Sequence, residues 1–157
     1  MEAAFHMEKY VYLSKSSDDT TEIAFKIGML LDKGSIITLE GDLGAGKTTF
    51  TKGLAKGLQI ERNVNSPTFT IIKEYKGRLP LYHMDVYRVE SSEEDLGFDE
   101  YFFGDGVTVV EWAHLIEDQL PKKRLEIVIK NISENERQFT FYPLGEIYRK
   151  ICKEILE

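Results

Sequence analysis

The chain has 157 residues, 42% of them hydrophobic and 30% charged, and these values are typical of one globular domain. The formal net charge of −7 argues against independent binding to a nucleic-acid backbone, because such binding depends on positive side chains that neutralise phosphates. No apolar run approaches the roughly 18 residues of a membrane span, and the single cysteine, Cys152, excludes an internal disulfide. We therefore expect one cytoplasmic domain, residues 1–157, that does not enter a membrane.

The N-terminal segment lacks the signal-peptide pattern, in which a positively charged start precedes an apolar stretch and a cleavage site. We expect residues 1–8 to be disordered or to derive from an expression leader. Tyrosine and valine favour a short strand over residues 9–13. A helix-start signal at Asp19 and Glu22 then predicts a helix that ends at Gly34. Its expected apolar face consists of Ile23, Ile27, Leu30 and Leu31.

An apolar strand, residues 36–40, leads directly into a glycine-rich loop. The loop has the pattern Gly, four residues, Gly, Lys, then Ser or Thr, which is typical of phosphate-binding P-loops. Its glycines allow backbone N–H groups to approach a phosphate chain. We expect Lys47 to neutralise the β- and γ-phosphates and the Thr48 hydroxyl to bind Mg²⁺. The predicted nucleotide-binding residues are Gly41, Asp42, Leu43, Gly44, Ala45, Gly46, Lys47, Thr48 and Thr49.

The segment after this loop supports the same prediction. Phe50, Leu54 and Leu58 recur at a spacing of four residues and indicate a helix with one apolar face that ends near Gly57. The N terminus of such a helix faces the loop, and helix N termini attract phosphates.

The second half of the chain predicts more strands than helices. Residues 69–75 and 79–86 are expected to form a hairpin, which makes the sheet mixed. Residues 107–112 are a second candidate for a buried strand, and a short helix follows that ends before Pro121. The remaining expected features are a capping signal at Ser91 and Glu94, a closing hairpin that carries Leu125, Ile127, Ile129, Phe139 and Phe141, and a last helix with Ile147, Ile151 and Ile155 on one face.

This alternation of strands and helices indicates right-handed crossovers between parallel strands. The predicted fold class is α/β: a three-layer sandwich like that of P-loop NTPases, with a mixed, mostly parallel sheet and helices on both faces. Ligands of such sheets bind at the carboxyl ends of the strands. Asp85 and Glu111 end two predicted strands and are expected to reach a bound Mg²⁺; the alternative for each is a surface acid or a helix cap. Glu111 is the better candidate for direct contact with the metal or for polarising the attacking water, because its strand is the more regular.

Other residues leave two interpretations open. Thr68 occupies the place where nucleotide switches put a threonine that senses Mg²⁺ and the γ-phosphate, but a proline turn at Pro67 explains the same residues. Arg88 and Arg137, considered alone, are interpreted as solvated surface side chains. The absence of an Asn-Lys-x-Asp run favours adenine over guanine as the bound base.

Four motifs, at residues 41–50, 66–70, 82–88 and 110–113, occur in the order typical of the TsaE family, and the chain resembles that family over essentially its whole length. TsaE proteins are small bacterial ATPases of tRNA threonylcarbamoyladenosine biosynthesis. The resemblance implies hydrolysis of MgATP in a complex with the TsaB and TsaD proteins, where TsaD transfers the threonylcarbamoyl group. It also implies that the chain meets tRNA only indirectly, through that complex.

The resemblance assigns roles to individual residues. Lys47 and Thr48 match the phosphate and Mg²⁺ residues, and Thr68 matches the switch threonine. Asp85 and Glu111 match the acidic residues of the metal site and of catalysis. The other residues implied to lie near the nucleotide are Trp112, for which core packing is the alternative, Ser16 and Arg137.

Two other classes of function remain open from the sequence. A small-molecule kinase has a similar size and fold, but the basic cluster at residues 122–124 is better explained as a solvated turn than as a phosphate lid. A scaffold that binds nucleotide without turnover is the second alternative. The aromatic segment at residues 98–103 is interpreted either as a docking surface for a partner or as part of the core.

Overall fold

The computed structural model describes residues 8–42, 44–65, 72–87 and 97–157. The elements in these ranges are β1 (Tyr10–Ser14), α1 (Ser17–Leu30), β2 (Ile36–Glu40), α2 (Lys47–Gly57), β3 (Ile72–Tyr75), β4 (Leu81–Asp85), α3 (Asp99–Phe102), β5 (Val107–Glu111), a 3₁₀ helix (Ala113–Gln119), β6 (Arg124–Asn131), β7 (Arg137–Leu144) and α4 (Glu146–Leu156). Leu43, Thr68, Arg88 and the signal at Ser91 and Glu94 lie outside the described residues.

The seven strands form one mixed sheet in the order β1-β7-β6-β2-β5-β4-β3. Its four central strands, β6, β2, β5 and β4, run parallel to one another. The pairings of β1 with β7, β7 with β6 and β3 with β4 are antiparallel. The prediction of a mixed, mostly parallel sheet is confirmed for the described strands. Because β1 and β6 are both antiparallel to β7, five of the seven strands run in the same direction, although three of the six pairings are antiparallel. The short turns that join β3 to β4 and β6 to β7 allow only antiparallel neighbours.

The two inner strands that were predicted from apolar runs are buried on both faces. Residues 36–39 of β2 and all of β5 are buried. A strand with this environment reads as a continuous apolar run because neither face meets water. The register places Asp85 of β4 directly beside Glu111 of β5, so both carboxylates lie at the carboxyl ends of neighbouring parallel strands.

Helices cover both faces of the sheet, as predicted. On one face, which we call the main core, Ile37 and Leu39 of β2 pack with residues of α1, α2 and α4. On the other face, which we call the minor core, Ile36 packs with Phe102 of α3 and Ile116 of the 3₁₀ helix. Neighbouring residues of β2 therefore enter different cores, because successive side chains of a strand point to opposite faces.

Helix α1 begins earlier and ends earlier than the sequence signals suggested. Ser16 is its N-cap, and the Ser16 hydroxyl accepts a hydrogen bond from the Asp19 N–H at 3.0 Å. Ser16, and not Asp19, therefore caps the helix, and Asp19 lies in the first turn with its N–H bonded to the cap. At the other end, the Arg78 guanidinium donates to the carbonyls of Gly28 and Leu31, at 2.8 and 3.1 Å. Arg78 therefore donates hydrogen bonds to carbonyls that have no partner within the helix. These bonds stabilise the end of α1 at Leu30, before Gly34.

Helices α1 and α2 approach each other at the level of the backbone. A Cβ atom built on Gly53 of α2 would lie 2.6 Å from the Thr21 carbonyl oxygen and 2.9 Å from the Ala24 Cβ. A Cβ on Gly57 would likewise collide with the Phe25 carbonyl oxygen. Small residues on α2 thus permit close packing against α1, which fixes the helix that follows the P-loop.

Two predictions about surface and core require correction. Ile151 is buried and Ile155 packs against the main core, as predicted, but Ile147 is 58% exposed, and Tyr148 and Cys152 complete the buried face of α4. The Tyr148 hydroxyl also accepts a hydrogen bond from the Ile36 N–H at 2.9 Å, which orients this face toward the sheet. In the aromatic segment, Phe98 and Phe102 are buried and Phe103 is exposed. Two of its aromatic rings are therefore core residues, and the segment does not form an aromatic docking surface as a whole.

The basic cluster at residues 122–124 does not form a solvated turn throughout. Arg124 is largely buried and forms an ion pair with Glu126, with 2.6 Å between Nη2 and Oε2. It also donates to the Pro121 carbonyl at 2.8 Å. Arg124 begins β6, at the amino end of the parallel strands, whereas the glycine-rich loop follows the carboxyl end of β2. Among the helices that the structure describes, none is long and apolar enough to cross a bilayer.

Candidate nucleotide site

The glycine-rich loop connects β2 to α2 through a left-handed residue. Gly46 is the N-cap of α2 and has a φ of +108°, a conformation that residues with a Cβ rarely adopt. The loop closes through a hydrogen bond from the Ala45 N–H to the Asp42 carbonyl at 3.0 Å, and the Ala45 side chain is buried in the main core. Because the N–H groups of a first helical turn point along the helix axis, the loop stands at the positive end of α2.

A cavity of about 250 Å³ opens in front of this loop. Lys47 contributes its cationic side chain, and Asp85 and Glu111 contribute carboxylates from the ends of β4 and β5. The cavity lies where three parallel strands end, as is usual for ligand sites of α/β sheets. The full set of lining residues is Gly44, Gly46, Lys47, Thr48, Thr49, Asp85, Glu111 and Trp112.

Lys47 is only 6% exposed, which is unusual for a lysine. Its Nζ atom lies 4.0 Å from Oε1 of Glu111 and 4.5 Å from the centroid of the Trp112 indole. The 4.0 Å separation is longer than a hydrogen bond, so the carboxylate balances the charge without binding the ammonium directly. The Lys47 ammonium is thus largely buried from solvent beside the cavity, close to the Glu111 carboxylate and the face of the Trp112 ring.

Glu111 and Asp85 have different environments although they are neighbours in the sheet. Glu111 is 3% exposed, and its Oε2 atom lies 2.7 Å from Nε2 of His83. Asp85 is half-buried, and its Oδ1 accepts a hydrogen bond from the Tyr87 N–H at 3.1 Å. Burial raises the pKa of Asp85, and the nearby Glu111 charge adds to this rise, while the Tyr87 N–H and the Lys47 charge oppose it. Two carboxylates that face one cavity from neighbouring strands form a negative pole beside Lys47.

Trp112 has a left-handed backbone, with φ of 64° and ψ of 34°. A left-handed conformation is uncommon for a large side chain and is unfavourable by about 1–3 kcal/mol. The next turn is anchored by His114, whose N–H and Nδ1 both contact the Glu40 carboxylate, at 2.9 and 3.0 Å. Glu40 ends β2, so this contact ties the segment that carries Trp112 to the strand that carries the P-loop.

A second, smaller cavity of about 180 Å³ flanks the loop, and it shares Gly44, Gly46 and Thr49 with the first. Ser16 and Arg137 both line it. The Arg137 guanidinium donates to the carbonyls of the turn before β7, at 2.9 Å for Ser133, and reaches the Gly44 carbonyl at 3.5 Å. Both residues therefore lie beside the loop, and each already makes hydrogen bonds within the protein.

Comparison with known proteins identifies the family. The sequence profile of the threonylcarbamoyl adenosine biosynthesis protein TsaE matches residues 14–139. The tRNA threonylcarbamoyladenosine biosynthesis protein TsaE of Bacillus subtilis (strain 168) is 57% identical over 150 residues, which cover 95% of each chain. The chain belongs to the TsaE family.

A second TsaE relative, from Treponema pallidum (strain Nichols), is 44% identical over 130 residues, which cover 82% of this chain and 96% of the relative. Among solved structures, the crystal structure of Bacillus subtilis YdiB is similar with a TM-score of 0.81. That match has 50% sequence identity and covers 95% of both chains. The α/β architecture described above is therefore shared with a solved structure over nearly its whole length.

In this TsaE-family chain, the structure brings together most of the residues that the sequence singled out. Lys47, Asp85, Glu111 and Trp112 face the same cavity, although they come from three separate segments. Ser16 and Arg137 lie in the flanking cavity. Leu43 and Thr68 fall outside the described residues, so their predicted roles remain predictions.

Sequence reasoning missed one residue of the site of this TsaE chain. His83 is fully buried and contacts Glu111, yet the sequence pattern predicted no role for it. The available signal was the spacing of His83 and Asp85, which are two residues apart on one strand and therefore point to the same face. The contact of Glu40 with His114 gave no comparable signal, because it joins residues 74 positions apart.

Proposed function

We propose that this chain is a P-loop ATPase that hydrolyses MgATP and acts in the formation of threonylcarbamoyladenosine in tRNA. Membership of the TsaE family and the names of its relatives support the place in tRNA modification. The observation that carries the ATPase activity is the position of Lys47, between the positive end of α2 and the carboxylate of Glu111. In this proposal the sheet with helices on both faces is the three-layer sandwich of P-loop NTPases, and the site works in the cytoplasm with its tRNA substrate.

The chain offers a suitable environment for the phosphates of ATP. The left-handed Gly46 starts α2 without a side chain over the loop, and the helix dipole favours negative charge there. Lys47 would exchange its distant contact with Glu111 for direct hydrogen bonds to the β- and γ-phosphates. Because Lys47 is buried beside the cavity, its charge would act with little screening by solvent.

The donor groups also fit a Mg²⁺ ion. Thr48 supplies a hydroxyl, and Asp85 and Glu111 supply carboxylates, and Mg²⁺ prefers such oxygen ligands. The raised pKa of Asp85 indicates a carboxylate that burial leaves poorly solvated, and a nearby cation would relieve that penalty. When bound, Mg²⁺ neutralises negative charge on the phosphates. We propose that Asp85 holds the metal and that Glu111 orients the attacking water by accepting its proton in a hydrogen bond.

We further propose that the chain acts together with TsaB and TsaD and meets tRNA only through that complex. The net charge of −7 supports indirect contact, since independent binding of tRNA requires positive charge. Thr68 is kept in the proposal as the residue that senses the γ-phosphate, and adenine as the base. Ser16 and Arg137 are proposed to line the base side of the site, because their cavity shares residues with the phosphate cavity.

The test is MgATP hydrolysis by the purified chain, measured alone and after addition of purified TsaB and TsaD. We expect stimulation by the partners, and we expect Lys47→Ala to lower turnover by roughly 10²-fold or more. Lys52→Ala is the matched control, because Lys52 lies on the same helix but outside the phosphate cavity. Equal turnover with and without TsaB and TsaD would contradict the proposal that these partners stimulate hydrolysis. No turnover in either case, together with tight nucleotide binding, would favour a scaffold.

A kinase activity receives no support from the basic cluster at residues 122–124. Arg124 is paired with Glu126 at the amino end of the parallel strands, whereas the glycine-rich loop follows their carboxyl ends, so this cluster is poorly placed to contact the γ-phosphate. Formation of ADP without any phosphorylated metabolite in the same assay would distinguish hydrolysis from phosphoryl transfer to an acceptor.

A further inference from the structure

His83 lies in the middle of β4 and is completely buried. In the register of β4 and β5, His83 is beside Val109 and Asp85 is beside Glu111. His83 therefore reaches Glu111 diagonally, from two residues deeper in the sheet and from the same face as Asp85. The contact is short, with 2.7 Å between His83 Nε2 and Glu111 Oε2.

The geometry of this contact determines where a proton must be. An imidazole nitrogen and an ionised carboxylate oxygen at 2.7 Å attract each other only if the nitrogen carries the hydrogen. With Glu111 ionised, we assign Nε2 as the donor and Oε2 as the acceptor, in both the neutral and the charged ring. This assignment follows from the partner, as tautomers of histidine usually must.

The other ring nitrogen has no comparable partner. Within the described ranges, no group forms a hydrogen bond with His83 Nδ1, although this atom is buried. A buried polar atom without a partner is unfavourable by about 1–3 kcal/mol. Among the described residues, Glu111 is thus the one hydrogen-bond partner of the His83 ring. If His83 served only to pack the interior, an apolar side chain would be more favourable at this position.

The bond restricts Glu111 in a way that matters for the cavity. The terminal torsion of a glutamate is broad and nearly two-fold, so a free carboxylate exchanges its two oxygens readily. With Oε2 fixed by His83, Oε1 is the oxygen on the side of Lys47, at 4.0 Å from Nζ. One oxygen is consequently occupied inside the protein, and the other is available at the cavity.

We propose that His83 is a positioning residue for Glu111: its Nε2–H holds Oε2 so that Oε1 faces Lys47 and the nucleotide. This inference rests on the proposed ATPase function, because it gives the orientation of Oε1 a catalytic meaning. Loss of the bond leaves Glu111 in place but free to rotate, and misplacement of a catalytic group by about 1 Å lowers turnover by as much as 10²-fold.

Two variants separate positioning from packing. His83→Leu keeps bulk and removes the donor, whereas His83→Gln keeps an N–H donor on a side chain of similar reach. We expect His83→Leu to lower kcat for MgATP roughly 10-fold or more while the Kd for nucleotide changes by less than about threefold. We expect His83→Gln to restore most of the lost turnover. Equal loss in the two variants, or no loss in either, would overturn the proposal.

A double variant tests whether His83 acts through Glu111. In a Glu111→Gln background the carboxylate is gone, so adding His83→Leu is expected to change kcat by less than about twofold. A full additional loss in that background would mean that His83 acts on the fold or on another group, and it would reject the positioning role. Thermal unfolding of each variant identifies any that fails to fold, and in that event His83→Gln and the following measurement decide.

A measurement that needs no turnover separates this inference from the proposed function. Nitrogen-15 NMR of the histidine side chains reports which ring nitrogen carries the proton. We expect the His83 proton on Nε2, with slow exchange in the wild type and faster exchange in Glu111→Ala. A ring with Nε2 unprotonated would overturn the proposal even if the chain is an active ATPase. Conversely, a chain that shows no ATP hydrolysis but has a slowly exchanging proton on Nε2 would contradict the proposed ATPase function and would support the hydrogen bond between His83 and Glu111.

Discussion

The Nζ atom of Lys47 lies 4.5 Å from the centroid of the Trp112 indole, so the lysine of the glycine-rich loop and the residue after Glu111 form one cation–π pair. Lys47 is buried, and Trp112 is half-buried in the wall of the cavity that Lys47 and Glu111 also line. Attraction between an ammonium and an indole face depends on the exposure of the charge to solvent and to other ions. Any anion that engages Lys47 therefore changes the electrostatic environment of Trp112.

Trp112 is the single tryptophan of the chain, so its fluorescence is a direct probe of the site. We expect titration with MgATP to change the emission of the wild type in a saturable way. Lys47→Ala is expected to abolish this change, and Trp112→Phe to remove the emission itself. Nucleotide binding that is detected by calorimetry without any change in emission would contradict the placement of the phosphates beside Trp112.

Gly53→Ala is expected to destabilise the fold even though alanine is the better helix former by about 1 kcal/mol. The new Cβ would lie 2.6 Å from the Thr21 carbonyl oxygen, so α1 and α2 must separate. Overpacking of this kind usually lowers the free energy of unfolding by about 1–3 kcal/mol. Urea denaturation measures the change, and Lys56→Ala, at an exposed position of the same helix, is the control. A Gly53→Ala variant as stable as the wild type would show that the two helices move apart easily.

Asp85→Asn is expected to stabilise the protein at neutral pH in the absence of nucleotide and Mg²⁺. Burial raises the folded-state pKa of Asp85 above its ordinary value of 3.8, so the charged form is penalised in the folded state. The penalty is complete above the raised pKa and disappears below pH 3.8, where the group is protonated in both states. Asparagine keeps an oxygen acceptor for the Tyr87 N–H.

The measurement for Asp85→Asn is the difference in Tm from the wild type between pH 8 and pH 3.5. We expect a rise of about 2 °C at pH 8 that vanishes at the acidic end, since the half-buried site limits the effect. Asp105→Asn is the control, because Asp105 is exposed. A Tm difference that grows as the pH falls would have the wrong sign and would reject the interpretation.

Cys152 is expected to be inert in the folded protein. It is 2% exposed, and burial raises the pKa of its thiol to about 12. At pH 8 the thiolate, which is the reactive form, is then about 10⁻⁴ of the total. Ellman's reagent should therefore detect no thiol in the native protein and one thiol in 6 M guanidinium chloride. Lys150→Cys, at an exposed position of the same helix, should react at once. Rapid reaction of native wild type would mean that α4 detaches from the core.

The sequence predicted best those features that depend on neighbouring residues. The continuous apolar runs of β2 and β5 and the glycine-rich loop between β2 and α2 required no knowledge of distant contacts. Asp85 and Glu111 were also predictable as strand ends, and the sheet places them in register. At Asp85 and Glu111, the end of an apolar run in the sequence coincides with the end of a buried strand, so the two carboxylates of the site could be predicted from the sequence.

Features that depend on long-range contacts were not predictable. The early end of α1 is stabilised by Arg78, which lies about 50 residues away in the chain. Three isoleucines suggested one face of α4, but only Ile151 and Ile155 pack on the core, whereas Ile147 is exposed and the neighbouring Tyr148 hydroxyl accepts a hydrogen bond from the Ile36 N–H. The contact of His83 with Glu111 needed the register of β4 on β5, which neither strand specifies alone.

Because of the left-handed turn at Trp112, two consecutive residues at the end of β5 line the same cavity. In a continuing strand, Glu111 and Trp112 would point to opposite faces of the sheet, and one of them would enter the wrong layer. The reversal at Trp112 instead directs both consecutive side chains to the same cavity. The Glu111 carboxylate and the Trp112 ring, which lies over Lys47, are thereby placed side by side, and no loop separates them.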